Sequence, residues 1–340
     1  MTSTVNVLGK EPKMRNKGFF RSQYAAGLLA LPASAVNFGI IGGMRKVSQL
    51  SKEDTAQLTH AARKGLHESG LYEKGVRTYK INEISLVQTL KKIYKSPAKA
   101  LDILFKVNKK DNPALNVIKE EAKSSRKYKN ALKKYGSDIA ELYAENSAKA
   151  GSLMYKFGLN AGYFPHANKI ITPNKSLQTS VFHEMGHALN NNGGIILKSL
   201  QKMRPVSTFA PAVILLMSLL NKRKTTDETN KNDSAMQKGA DFVKRNAGKL
   251  TALSFLPMVA EEGIASLRGQ GIAKKLVKEG TLSKDLFKKI KLTNLGGFSS
   301  YVLSAVVAVV ITKLAISIKD KIQAKYEAKQ KAKFEAKNNK

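Results

Sequence analysis

A chain of 340 residues is long enough to bury one or two domain cores, so the stapling devices of small scaffolds are not required. It contains no cysteine, which excludes disulfides, thiolate metal sites and cysteine nucleophiles; a tight metal site must use histidine and carboxylate. The formal charge of +34 comes from lysines spread along the chain, without an arginine-rich arm, zinc finger, helix-turn-helix or RNA-binding aromatic motif. A bilayer with anionic lipids is therefore the expected partner, and a specific nucleic acid is not.

The first apolar stretch, Tyr24 to Met44, carries no charge and is long enough to span a bilayer. It reads as an anchor behind a basic leading segment. The alternative is a signal peptide, with Arg15, Lys17 and Arg21 as its basic region and Ala33-Ser34-Ala35 as a cleavage site. Residues 45–157 form a lysine-rich region. In it the spacing of Leu86, Leu90 and Ile93, of Leu101, Ile103 and Leu104, and of Ile118 to Ala150 predicts amphipathic helices. The run Lys169, Ile170, Ile171, Thr172 lies between Pro165 and Pro173 and predicts a single strand. Thr172 and Pro173 are expected to cap and open a helix of about five turns, stopped by Asn190-Asn191-Asn192-Gly193-Gly194.

That helix carries His183-Glu184-Met185-Gly186-His187. Histidines at i and i+4 leave one helix face together and can grip one zinc ion. Glu184 is placed to act as general base, taking a proton from a zinc-activated water as it attacks a carbonyl. In a chain with five histidines the pattern arises by chance at odds of about one in a hundred or less. Val181, Phe182, Ala188 and Leu189 bracket it, as expected of a helix buried on one side.

A catalytic zinc keeps three protein ligands and one open position. His60, His67 and His166 are available for the third, but the segment Val259 to Ser266 offers two carboxylates, Glu261 and Glu262, followed by small residues that let a second helix approach. Tyr163 and His166 are candidate transition-state donors, with exposed loop positions as their other reading.

HEMGH followed by Glu262-Gly263-Ile264-Ala265 resembles the gluzincin peptidases, in which a glutamate from a second helix completes the zinc site. It is also similar to the E-x-x-A-D signature of the HtpX-like membrane zinc peptidases, with Ser266 standing where that family has aspartate. The resemblance covers residues 158–275. It implies a zincin-like, mainly α fold with one short strand or hairpin plus transmembrane helices. It also implies His183, His187 and Glu262 as zinc ligands, with Glu261 as the alternative ligand. Lys169 to Thr172, with Asn160 to Pro165 before them, are then the edge strand that holds substrate.

Three further apolar stretches follow the motif. Pro205 to Leu220 and Leu250 to Ala260 are short, and together make a hairpin that returns Glu262 to the side of the histidines; a single crossing would separate the ligands across the bilayer. Gly296 to Ile318 is a span with Lys313 near one end, where it can snorkel. The expected organisation is a basic segment and anchor (1–44), the lysine-rich helical region (45–157), a zinc peptidase core (158–275) with an inserted membrane hairpin (205–260), a linker and C-terminal span (276–318), and a basic tail (319–340). The leading segment, the hairpin loop and the tail are short and basic and favour the cytoplasm, which puts the motif outside; in the HtpX-like relatives it faces inside.

The expected function is a membrane-embedded zinc-dependent endopeptidase of a bacterial inner or cell membrane, acting on protein or peptide substrates. The alternative is a non-catalytic basic membrane scaffold with a structural or vestigial metal site.

Overall fold

The computed structural model describes residues 39–96, 112–223, 225 and 233–338. The expected anchor falls largely outside these residues, as does the run Leu101 to Leu104; of the anchor, residues 39–44 begin a helical segment that runs to 47. The chain is mainly α, with one small sheet, and clusters into two compact units.

The unit that contains the motif comprises residues 39–202 and 259–300. After the helical segment 39–47 come α1 (Lys52–Glu68), β1 (Arg77–Ile81) and α2 (Leu86–Lys95). Three helices follow, α3 (Asn112–Lys123), α4 (Arg126–Tyr135) and α5 (Ser137–Lys156), in the region where amphipathic helix was expected from Ile118 to Ala150. Ser125 interrupts it by capping α4 through its hydroxyl, and Gly136 interrupts it again by taking φ 87°, a conformation costly to any residue with a Cβ. Ala140, Ala144 and Ala148 make a buried small-residue stripe along α5.

The sheet has three strands in the order β1-β3-β2: β3 (Lys169–Pro173) is central, parallel to β1 and antiparallel to β2 (Gly162–Phe164). The expected strand and hairpin are present, and β1 is an addition. Alternation along β3 sends Ile170 to a core with α1 and the motif helix, and Ile171 to a core with α3 and α5.

Pro173 does not open a helix, because it is paired with Ile81 in the β1–β3 ladder. The following turn is held by Glu83, whose carboxylate accepts from the backbone N–H groups of Lys175 and Ser176, and by Leu177 at φ 52°. A 3₁₀ turn (Gln178–Ser180) then leads into α6 (Val181–Asn191), shorter than expected at the front and ending inside the asparagine cluster.

The other unit comprises residues 203–258 and 301–338 among those described. It contains most of α7 (Ile195–Leu220), all of α8 (Ala235–Arg245), the first turns of α9 (Ala247–Lys278) and the last two-thirds of α10 (Lys284–Asn338). Helices α7, α9 and α10 are long and apolar enough to cross a membrane. The two hairpin stretches that look short in sequence are thus parts of helices of 26 and 32 residues. Pro205, Pro211 and Pro257 lie inside these helices without ending them, as prolines do in spanning helices where neighbouring groups re-satisfy the backbone. Across the α7–α9 contact Ser207 Oγ donates to the Ser254 carbonyl (2.6 Å).

Within this unit Arg204 lies over the Tyr301 ring, and Lys319 donates to the Asn221 carbonyl. Helices α7 and α10 therefore run parallel from Arg204 to Asn221, about 26 Å of helix at the standard rise, close to the thickness of a hydrocarbon core.

Candidate metal centre

Helices α6 and α9 cross at backbone contact. A Cβ on Gly186 would collide with the carbonyl of Ala265, and one on Gly269 with the carbonyl of Phe182. The small residues expected after Glu262 are joined here by the glycine inside the histidine motif itself. Two glycines, one on each helix, remove the side-chain layer that would otherwise hold the axes about 8–10 Å apart.

The close crossing brings three predicted residues together. His183 Nε2 and His187 Nε2 are 2.9 Å apart, and Glu262 Oε2 lies 3.1 Å from the first and 3.5 Å from the second. All three side chains are buried and form a group that can hold a metal ion. Ligand atoms on a tetrahedral zinc at 2.0–2.1 Å stand about 3.3–3.4 Å apart, so this triangle fits such an ion after a shift of a few tenths of an ångström. The donor set, two imidazoles and a carboxylate, suits a borderline divalent ion.

Both imidazoles are fixed from behind. His187 Nδ1 donates to Glu261 Oε1 at 2.7 Å, and the same carboxylate oxygen accepts from Asn190 Nδ2 at 3.1 Å. His183 Nδ1 lies 3.0 Å from Ser266 Oγ. The carboxylate of Glu261 can only accept, so the His187 hydrogen is on Nδ1 and its Nε2 is left for an ion, while the Ser266 hydroxyl can take either role toward His183 Nδ1. Glu261, the alternative ligand expected from the sequence, lies outside the triangle: a helix step of about 100° from Glu262 sets its carboxylate against the far nitrogen of His187. Without an ion, burial lowers the His187 pKa, but Glu262, Glu261 and Glu184 outweigh it and push it up to about 10.

Glu184 is 6% exposed, and among the described residues its carboxylate has no hydrogen bond or ion pair. Its charge acts on the Tyr155 phenol, which burial, reinforced by Glu184, keeps protonated. A Cβ on Gly162 would sit 2.7 Å from the Tyr155 hydroxyl oxygen, so glycine at this position of β2 makes room for the ring. Neither Tyr155 nor Gly186 stands out in the sequence. One is an ordinary aromatic on a helix, and the other occupies a position that the H-E-x-x-H pattern leaves open.

The remaining candidates lie elsewhere. His60, His67 and His166 are exposed and do not join the group. His67 stacks on Tyr72 and faces Glu73. Tyr163 belongs to β2 and is half-buried, not an exposed loop residue; its hydroxyl donates to Asn168 Oδ1 (2.6 Å) and accepts from Asn191 Nδ2 (2.8 Å). Burial pushes its pKa up to about 12.

Lys169 to Thr172 are not an edge. β3 is central, and Lys169, Ile170 and Ile171 are paired to β1 on one side and β2 on the other, which leaves no free ladder there for an added strand. Of the two edge strands, β2 is the one that packs against α6.

No protein-family model, curated protein or solved structure matches the chain.

Proposed function

We propose that the chain is a membrane-embedded zinc endopeptidase, of the gluzincin type that its HEMGH and Glu262-Gly263-Ile264-Ala265 segments resemble. The observation that carries this reading is the buried His183–His187–Glu262 triangle with an unengaged Glu184 one residue from its first ligand. A zinc ion held there supplies Lewis acidity, acidifying a water and polarising a peptide carbonyl. Glu184 takes the proton of the attacking water on its carboxylate and passes it to the departing amine. Glu261 and Ser266 hold the imidazoles in the productive tautomer. An extended substrate pairs with the outer edge of β2 rather than with β3.

The membrane enters through α7 and α9. The link Asn192–Gly194 is all that separates the motif helix from α7, and Glu262 follows the apolar stretch Leu250 to Ala260 on one continuous helix. A site so close to two spans acts on peptide bonds near the bilayer surface.

The test is Glu184→Gln in the purified full chain. We expect loss of proteolysis by about 10²–10⁴-fold with metal content unchanged. Full activity in the variant would reject the mechanism. A wild-type chain that holds one metal per chain and cleaves no membrane-proximal peptide would favour the scaffold with a structural metal.

A further inference from the structure

Helix α8 is amphipathic, yet it sits with its polar side inward. Asp241 and Lys244 are each 3% exposed. Asp241 accepts from Asn221 Nδ2 (2.8 Å), Gln237 Nε2 (2.7 Å) and Arg223 Nη1 (2.9 Å). Lys244 Nζ donates to Asp320 Oδ1 (2.6 Å) and to the Arg223 carbonyl. At 100° per residue, Gln237, Asp241 and Lys244 share one face. The opposite face carries Met236 and Phe242, 86% and 60% exposed, with open space around Gly239 between them.

A helix on a water-facing surface is oriented the other way, because each large apolar side chain taken out of water contributes about 1.5–3 kcal/mol. Here the ion pairs fix the polar face and leave the apolar one outward, an arrangement suited to an apolar surrounding. Exposed apolar side chains also mark the neighbouring end of α7, which is followed by Asn221, bonded to Asp241 of α8. Leu216, Met217 and Leu220 at the end of α7 are exposed as well, and the change to polar residues comes at Asn221 and Arg223, which are bonded to α8. Lys238 and Arg245 lie at the border between the two faces, on the exposed side, where lysine and arginine reach lipid phosphates.

We propose that α8 is an interfacial membrane helix, lying along the bilayer surface with Met236 and Phe242 in the acyl boundary and Lys238 and Arg245 at headgroup level. This rests on the membrane reading of α7 and α9. The described residues 233–246 are then held on the lipid, with the Arg223–Asp241 pair fixing α8 to the end of α7 and the Lys244–Asp320 pair binding it to the start of the basic tail.

The absence of cysteine makes the test direct. Single nitroxide labels at Met236→Cys, Gly239→Cys and Phe242→Cys are read in the full chain in phosphatidylcholine–phosphatidylglycerol vesicles. Phe209→Cys within α7 serves as the lipid reference and Lys329→Cys in the tail as the water reference. Labels on α8 should collide with oxygen in preference to a water-soluble nickel chelate, at a ratio several-fold above that at Lys329 and at a shallower depth than Phe209. Labels as open to nickel as Lys329, with Phe209 in lipid, would overturn the proposal and leave the spans intact. Labels shielded from both quenchers would also overturn it, pointing to a second copy or another protein on that face. Phe209 in water would remove the membrane reading and the proposal together.

Discussion

Two adjacent glutamates, Glu261 and Glu262, acquire different roles because one helix step separates them. Glu262 Oε2 faces both Nε2 atoms, whereas Glu261 holds His187 by its other nitrogen. Replacing Glu262 by alanine removes a ligand and should abolish tight zinc binding. Replacing Glu261 by alanine leaves the ligands and frees the His187 ring, so zinc affinity should fall by about 10–100-fold. A chelator competition titration separates the two, and an unchanged affinity in Glu261→Ala would show that the bond does not position the ring. The sequence made His183, Glu184 and His187 legible because helical spacing alone puts them on one face. Residue type and spacing narrowed the third ligand only to a pair, and the E-G-x-A likeness favoured Glu262; geometry alone cannot choose between neighbours without the direction from which the second helix arrives.

At the scale of elements, the site depends on how closely α6 and α9 approach. A methyl group on Gly186 or Gly269 meets backbone, which cannot rotate away. Gly186→Ala and Gly269→Ala should each cost about 1–3 kcal/mol or more and release the metal as the helices separate. Gly271→Ala, two positions from Gly269 on the same helix, has open space around it and should gain about 0.5–1 kcal/mol from helix propensity. Thermal melts of the three variants with and without zinc would check this, and equal losses would deny the close crossing a special role.

A second element-scale prediction concerns the α3–α4–α5 bundle. Hydrogen bonds from Lys123, Lys119 and Tyr128 hold the Glu141 carboxyl down at about 2, below its ordinary 4.5. A depressed carboxyl stabilises the fold above its ordinary pKa and loses that effect as pH falls through the folded value. Wild type should therefore lose more melting temperature than Glu141→Gln between pH 4.5 and 2. Much of the helical pattern here was readable from periodicity. β1 was not: in Arg77-Thr78-Tyr79-Lys80-Ile81 only Ile81 is fully buried, so no apolar alternation marks it, and its partner β3 lies far along the chain. The motif helix was misread at its front because Pro173 and Thr172 have the right types for a helix start, and only the pairing with β1 claims them for a strand.

For the whole molecule, α7, α9 and α10 read as spans imply that the α7–α9 loop and the tail emerge on one side of the bilayer, and the motif on the other. Contacts within the helical unit support the first half: Lys319 bonds Asn221, and Gln323 bonds Lys222. The excess of lysine and arginine there favours the cytoplasm for both. An impermeant maleimide applied to intact cells should miss Lys222→Cys and Lys329→Cys and label Lys274→Cys on the exposed face of α9 beyond Glu262. Labelling of the first two but not the third would invert the orientation, and mixed labelling of the first pair would break the span assignment. Hydropathy located these apolar helices, but the sequence concealed their lengths, because the stretches were bounded at Pro205 and before Glu261, and both are interior residues of their helices.

The central claim is that His183, His187 and Glu262 hold one zinc ion. Zinc-edge X-ray absorption on the purified full chain, with metal stoichiometry, tests it most directly. One zinc per chain should be found, with two imidazole nitrogens and oxygen in its coordination sphere at about 2.0–2.2 Å, and Glu262→Ala should lose it. A chain purified with zinc present that holds none, or a Glu262→Ala variant with unchanged zinc content and spectrum, would contradict the site.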